Sequence, residues 1–337
     1  MKCLTKALIG LALGVTAALA VHAKDGPTVA AIKQRGAVNC GVFGVIPGFS
    51  LPDSKGVMRG FDADACRAVA AATLGNPEAV KWVMLTAQQR LPALQAGEVV
   101  VVYANLGWTL SREVQSGIAY ASAYFYDGEA FMVKKSLGVK SAKDLNGVSV
   151  CLTQGSSLEQ SVQEYFQQNK MTYKPVVFAD VSEARKAFVA DRCDSTAGDA
   201  SSLAGFKAGQ GAAGDRFEVL PERMTSSALG GAVRKGDGQW FDIVRWTHFA
   251  LVQAEAFGMT SQNIDSFKTS KDRDQLRFLG EEGNLGEALG LNKDWAYKVI
   301  KGVGNYGQVW DRNVVGLSRG QNRIWLQGGM QFSPQFR

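Results

Sequence analysis

Histidine is nearly missing from this chain: 337 residues carry two, His22 and His248. A Ser-His-Asp or Cys-His catalytic arrangement therefore has one candidate base beyond the first 23 residues, and a histidine-built zinc site lacks ligands. His248 stands in Phe241-Asp-Ile-Val-Arg-Trp-Thr-His-Phe-Ala250, whose apolar spacing reads as a helix, so a packed histidine is expected rather than a base. Long apolar runs are also absent after the start, leaving no later stretch suited to crossing a bilayer as a helix. A large charge excess is missing too. The formal charge of +6 becomes +4 once Lys2 and Lys6 are set aside, too small and dispersed to argue for nucleic acid.

What is present begins with a leader. Lys2 and Lys6 are followed by an apolar run over residues 7–21, and Val21-His22-Ala23 offers small residues for cleavage. This is the pattern of a secretory signal peptide over residues 1–23; the alternative is a single N-terminal anchor helix. Cys3 lies too early to be a lipoprotein acylation site. Residues 24–337 are then an exported protein long enough for two domains with substantial cores. Four cysteines remain, an even number suited to disulfides in an oxidising compartment. Cys40 opens an apolar strand and Cys66 sits early in the next helix. Cys151 ends a strand and Cys193 precedes another in the later half. Pairing Cys40 with Cys66 and Cys151 with Cys193 closes loops worth roughly 3.5–4 kcal/mol each on the chain-entropy account; four buried free thiols are the alternative.

Strands and helices alternate. Residues 37–43 read as a strand, and Asp62 is placed to cap a helix that Gly75-Asn76 ends. A second strand over 80–84, a helix over 87–96 and a β-branched run over 99–103 follow. The order repeats later: strand 148–152, helix 157–169, strand 176–178, helix 183–190 and a short strand to Gly198. The fold class is α/β, each half a central, mostly parallel sheet flanked by helices. In both halves an amphipathic helix, a tight turn and a strand lead into a polar loop, Asn105-Leu-Gly-Trp-Thr-Leu-Ser-Arg112 and Gly198-Asp199-Ala-Ser-Ser. Loops at the carboxyl ends of strands on two lobes predict a cleft between them. Residues 129–135 and 229–235, both extended and both ending in paired basic residues, read as two antiparallel crossing strands that form a hinge. Helices are expected over 239–258 and 293–303, with the region 283–337 packing back on the first lobe. The division is 1–23 signal peptide, 24–131 first part of lobe 1, 132–232 lobe 2, and 233–337 the return of lobe 1 with C-terminal helices.

Gly60-Phe-Asp62, Arg90-Leu-Pro-Ala-Leu-Gln-Ala-Gly97, Trp108-Thr-Leu-Ser-Arg112, Asp127-Gly-Glu-Ala-Phe-Met-Val133, Gly155-Ser-Ser157 and Cys193-Asp-Ser-Thr-Ala-Gly-Asp199 together resemble the periplasmic amino-acid-binding proteins of ABC transporters, family 3 of the solute-binding proteins. Asn305-Tyr-Gly-Gln-Val-Trp-Asp-Arg-Asn313 and the four cysteines look like the general L-amino-acid-binding branch. The resemblance covers nearly all of residues 24–337. It implies a two-lobed periplasmic-binding-protein-like fold with crossing hinge strands, a monomeric periplasmic receptor that closes around a free amino acid and docks on a membrane permease. No enzyme activity, cofactor, metal or nucleic-acid partner goes with it.

A zwitterion needs a cation for its carboxylate and an acid for its ammonium. The resemblance, with Thr-x-x-Arg intact at Thr109 to Arg112, implies Arg112 for the carboxylate, since a guanidinium grips it bidentately and stays charged. Asp199 occupies the position of the ammonium-binding acid. Ser156 and Ser157 start a helix whose N–H groups favour an anion. Asn105 and Gly107 are expected to offer main-chain groups, and Phe43 or Phe49 to wall the side-chain pocket. Read without the resemblance, Arg112 and Glu113 form an ion pair, Asp199 and Ser201 cap a helix, Ser156 and Glu159 form a capping box, and both phenylalanines are core.

The chain departs from the branch where it has Val100 for an Asp, Ala104 for an Arg and Gly107 for a Thr, so binding weakened or redirected towards an unusual amino acid or related small carboxylate is expected. Two competing functions remain. An exported enzyme on the same scaffold, of dehydratase or lytic transglycosylase type, would use Glu129 or Glu159 as its acid or base. A sensory module would need a membrane helix and a further domain, and none follows.

Overall fold

Val38, Cys40 and Val42, with Val101 and Val102, have no solvent exposure, as expected of strands covered on both faces. The computed structural model describes residues 25–314 and 316–337; the signal peptide expected at 1–23 lies outside the described residues. Its strands are β1 (Val38–Val42), β2 (Leu51–Pro52), β3 (Met58–Arg59), β4 (Val80–Met84), β5 (Val101–Val102), β6 (Ile118–Asp127), β7 (Glu129–Lys134), β8 (Ser149–Thr153), β9 (Lys174–Phe178), β10 (Ser195–Asp199), β11 (Phe217–Val219) and β12 (Ser227–Arg234). They form one sheet ordered β4-β1-β5-β12-β6, a second ordered β11-β7-β10-β8-β9, and the small pair β2-β3.

Both large sheets are mixed rather than mostly parallel. β1 runs parallel to β4 and β5, and β8 parallel to β9 and β10, whereas β12 and β7 meet their neighbours antiparallel. The reason is the connection between lobes. The strands that carry the chain out and back enter each sheet against the direction set by the β-helix-β units.

The crossing differs from the expected one. The chain passes from the first sheet to the second at Gly128, between β6 and β7, and returns between β11 and β12. Residues 129–135 and 229–235 therefore belong to different sheets and do not pair with each other. The strand that pairs with β12 is β6, with Ser227 opposite Asp127. The sheets divide the chain near 128 and 220–226, a few residues before the expected boundaries at 131 and 232.

The helix Phe61–Leu74 is buried almost all round, because its alanines let β1 lie on one side and the helices Gly238–Ala256 and Trp295–Val303 on the other. Asp62 does not cap it. Gly60 holds the N-cap position, and the Asp62 carboxylate turns inward to accept the Tyr124 hydroxyl at 2.6 Å. Phe336 stacks on Trp295, so the C-terminus packs on the first lobe as expected. His248 is buried with Nε2 2.9 Å from Gln331 Oε1. Burial pulls its pKa down to about 4, which keeps it neutral and structural. The cysteines join as Cys40–Cys66 and Cys151–Cys193, each bridge tying a strand to a neighbouring segment of its own lobe.

The lobes meet across the cleft at two glycines. A Cβ on Gly155, whose φ is +73°, would stand 2.5 Å from Gln88 Cγ. A Cβ on Gly205, inside the helix Ala200–Gly209, would stand 2.6 Å from the Pro47 carbonyl oxygen. Lobe 1 loops thus sit directly on lobe 2 backbone. The cleft is shut.

Candidate functional site

The carboxyl ends of β1, β5, β8 and β10 converge on a tight cavity of about 50 Å³ between the lobes. Lobe 1 contributes Phe43, Ile46, Arg90, Asn105 and Arg112, and lobe 2 contributes Ser156, Ser157, Val181, Arg185 and Asp199.

Arg112 lies on the short helix Leu110–Gln115, which the Thr109 hydroxyl caps by accepting the Arg112 N–H. Its Nη1 donates to the Gly107 carbonyl at 2.9 Å, and Tyr120 donates to the same oxygen at 2.8 Å. The ion pair with Glu113 does not form, because Glu113 accepts the Trp108 indole N–H instead. Among the described residues Arg112 has no carboxylate partner, so its guanidinium is steered and still available.

Asp199 sits at the start of the helix Ala200–Gly209, yet its side chain makes no capping hydrogen bond. Ser201 bonds instead to Asp127, through its N–H at 3.2 Å and through its hydroxyl. Asp199 is therefore spared for the cavity. Burial, then the charges of Asp127 and Glu129, push its carboxyl well above the usual range, while Arg90 and Arg185 act in the opposite direction. A cation arriving beside it would restore the carboxylate.

Asn105 departs from expectation in an informative way. It has φ +45°, the left-handed region, and its main chain is already committed: the N–H to Asp62 and the carbonyl to Arg90 Nη1 at 3.3 Å. The residue lines the cavity, and both side-chain amide atoms are buried without a partner among the described residues. Gly107 likewise serves Arg112 rather than the cavity. Ser156 donates to the Thr153 carbonyl and Ser157 to Glu129 Oε1, so both hydroxyls are in use. The Ser156–Glu159 capping box does not form; Glu159 accepts the Gly155 N–H. Phe43 lines the cavity beneath Arg90, whose guanidinium carbon lies 4.8 Å from the ring centre. Phe49 does not line it: it is 2% exposed and packs edge-on against Phe125 in the core. Val100 packs against the first core, and Ala104 supplies a carbonyl to Arg90 at 2.7 Å.

Two arginines outside the expected set join these residues. Arg90 and Arg185 are 3% and 6% exposed, and both line the cavity. Burial lowers their pKa values, Arg90 to about 9 and Arg185 to about 10, and Arg112 beside Arg90 adds to its shift. Both remain cations at neutral pH. The available signal is a charge inside an apolar stripe: Arg90 shares a helix face with Ala93 and Leu94, and Arg185 with Val181 and Phe188.

A larger cavity, about 500 Å³, lies beside the hinge. Its arginines are committed, Arg319 to Glu255 at 2.7 and 3.0 Å and Arg223 to the carbonyls of Leu220 and Pro221. Among the described residues no cluster of acids, histidines and cysteines is arranged to hold a metal, and no helix is long and apolar enough to cross a membrane.

Two lobes closed over a charged cavity, on a chain that passes twice between them, define a hinged solute receptor. Residues 38–262 match the family model of bacterial extracellular solute-binding proteins, family 3. The chain is 42% identical to the general L-amino acid-binding periplasmic protein AapJ of Rhizobium johnstonii, over 98% of this chain and 99% of that protein. It is 43% identical to the glutamate/glutamine/aspartate/asparagine-binding protein BztA of Rhodobacter capsulatus, over 95% and 96%. A periplasmic binding protein of an ABC transporter from Brucella ovis, solved with glutathione bound, superposes with a TM-score of 0.90 at 42% identity, over 93% of this chain and 100% of that one. The chain belongs to family 3 of the bacterial extracellular solute-binding proteins. These relatives are binding proteins, and the exported-enzyme reading finds no support among them.

Proposed function

We propose that this protein works in the periplasm, captures a free α-amino acid between its lobes and delivers it to the permease of an ABC transporter. Arg112 neutralises the α-carboxylate from lobe 1 and Asp199 the α-ammonium from lobe 2. The observation that carries this reading is the pair itself: a guanidinium and a carboxylate line one closed cavity from opposite lobes, and neither is spent on a protein ion pair. Each group alone is costly to bury, and a zwitterion answers both at once. Because the groups come from different lobes, the ligand stabilises the closed form and so reports occupancy to a permease that docks on both lobes. The Brucella relative holds glutathione, a molecule with a free α-amino-acid head, so the same pair would serve such a peptide.

Calorimetric titration against the twenty amino acids and glutathione, with native mass spectrometry of the protein as isolated, tests the proposal. Saturable one-to-one binding of at least one amino acid is the expected result. Binding only of solutes that lack the α-amino group would refute it.

A further inference from the structure

We infer that the cavity is built for an amino acid with a second carboxylate, and that Arg185 is the residue that selects it. This rests on the amino-acid reading above and specifies the ligand's side chain.

The first argument is charge. Arg90, Arg112 and Arg185 line the cavity together with one acid, Asp199. A neutral zwitterion uses Arg112 and Asp199 and leaves two guanidinium groups in a closed space. The nearby acids do not offset them by lining the cavity, because each is spent elsewhere: Glu129 on Ser157 and Thr225, Asp127 on Ser201 and the Gly128 N–H, and Asp62 on Tyr124 and Asn105. A second anionic group is what the wall lacks.

The second argument is hydrogen bonding, and it separates the two extra arginines. Arg90 is occupied: its Nη1 donates to the Ala104 and Asn105 carbonyls, its Nε to the Ala87 carbonyl at 3.3 Å, and its plane rests over Phe43. Arg185 is anchored by Nη2 to Ser202 and lies over Phe206 at 5.0 Å, but its Nη1 is buried with no partner among the described residues. An unpaired buried guanidinium nitrogen is expensive and rare in a folded protein. The Asn105 side chain, also buried and unpartnered, adds a donor from lobe 1. Hydrogen bonds to a carboxylate held by an arginine are about twice as strong as neutral ones. The second carboxylate accordingly goes to Arg185 Nη1, and an amide in its place meets a donor where a charge is wanted.

The test compares L-glutamate with L-glutamine and L-aspartate with L-asparagine by calorimetry at neutral pH, on wild type, Arg185→Met and Arg185→Lys. In wild type the acid binds at least about tenfold more tightly than its amide for one of the two pairs. Arg185→Met brings that ratio to within about twofold, and Arg185→Lys, which keeps the charge, restores part of the preference. Equal binding of acid and amide by wild type overturns the inference while leaving the amino-acid reading standing. So does an Arg185→Met protein with an unchanged ratio. Binding of no amino acid at all overturns both.

Discussion

Closure brings the Pro47 carbonyl onto the backbone of Gly205, and one added methyl group tests whether that contact is used. A Cβ at 205 would lie 2.6 Å from the Pro47 oxygen, 0.8 Å inside the 3.4 Å at which ordinary contact begins. The oxygen belongs to main chain, so relief requires moving a loop or keeping the lobes ajar. Overpacking of this size costs about 1–3 kcal/mol, and the cost falls on the closed form alone. Affinity for the best ligand should therefore drop roughly 5- to 150-fold in Gly205→Ala. The same substitution favours the helix Ala200–Gly209 by about 0.5–1 kcal/mol, so the unliganded protein should melt at the same temperature or slightly higher. Calorimetric titration and ligand-free thermal melts read the two effects separately. Weaker binding in a more stable protein is the signature. Affinity within twofold of wild type would refute the idea that these surfaces touch in the ligand-bound form.

Arg112→Ala should lower affinity by about hundredfold or more, since it strands a buried ligand carboxylate, with little change in melting temperature because the side chain holds only the Gly107 carbonyl; titration decides, and a loss under twofold rejects the assignment. The Asp199 carboxyl is raised in the unliganded protein and the ligand's ammonium draws it back down, so binding should release a proton and weaken as pH falls through the unliganded pKa. Titrations in buffers of different ionisation enthalpy measure that proton, and Asp199→Asn should abolish it. Burial lifts Asp62 to about 7, against the Tyr124 hydroxyl and the Asn105 N–H that pull it down. A carboxyl raised above its unfolded value stabilises the fold while protonated, and that contribution is lost as pH rises to about 7, at up to roughly 1.4 kcal/mol per pH unit. Asp62→Asn, which keeps an acceptor for Tyr124, should thus raise the melting temperature at pH 8 more than at pH 5; equal shifts at both would contradict it.

The alternation of elements and both cysteine pairs could be read from the sequence because they rest on local pattern: β-branched runs, amphipathic stretches and glycine stops. Strand direction could not. Nothing local to residues 129–135 or 229–235 says which sheet each joins, and that pairing depends on contacts with β10 and β6 far along the chain. At the site, the resemblance pointed to Arg112 and Asp199, which both line the cavity, while the local readings of an ion pair and a cap failed for reasons visible only in three dimensions: Glu113 accepts from Trp108, and Ser201 bonds to Asp127. Asn105 lines the cavity, but its main-chain N–H and carbonyl are taken by Asp62 and Arg90, partners that no local pattern shows. Arg90 and Arg185 were passed over because a helix pattern invites attention to its apolar members, and the charged residue standing among them is the one with chemistry.

Each disulfide is confined to one jaw: Cys40–Cys66 binds sheet to helix in the first, Cys151–Cys193 binds the middle of β8 to the turn before β10 in the second, and neither spans the hinge. Oxidation on export thus hardens the two halves individually and puts no tether on their swing. A reducing environment would therefore blunt the grip by loosening the walls that hold Asn105 and Asp199, with the travel between open and shut left as it was.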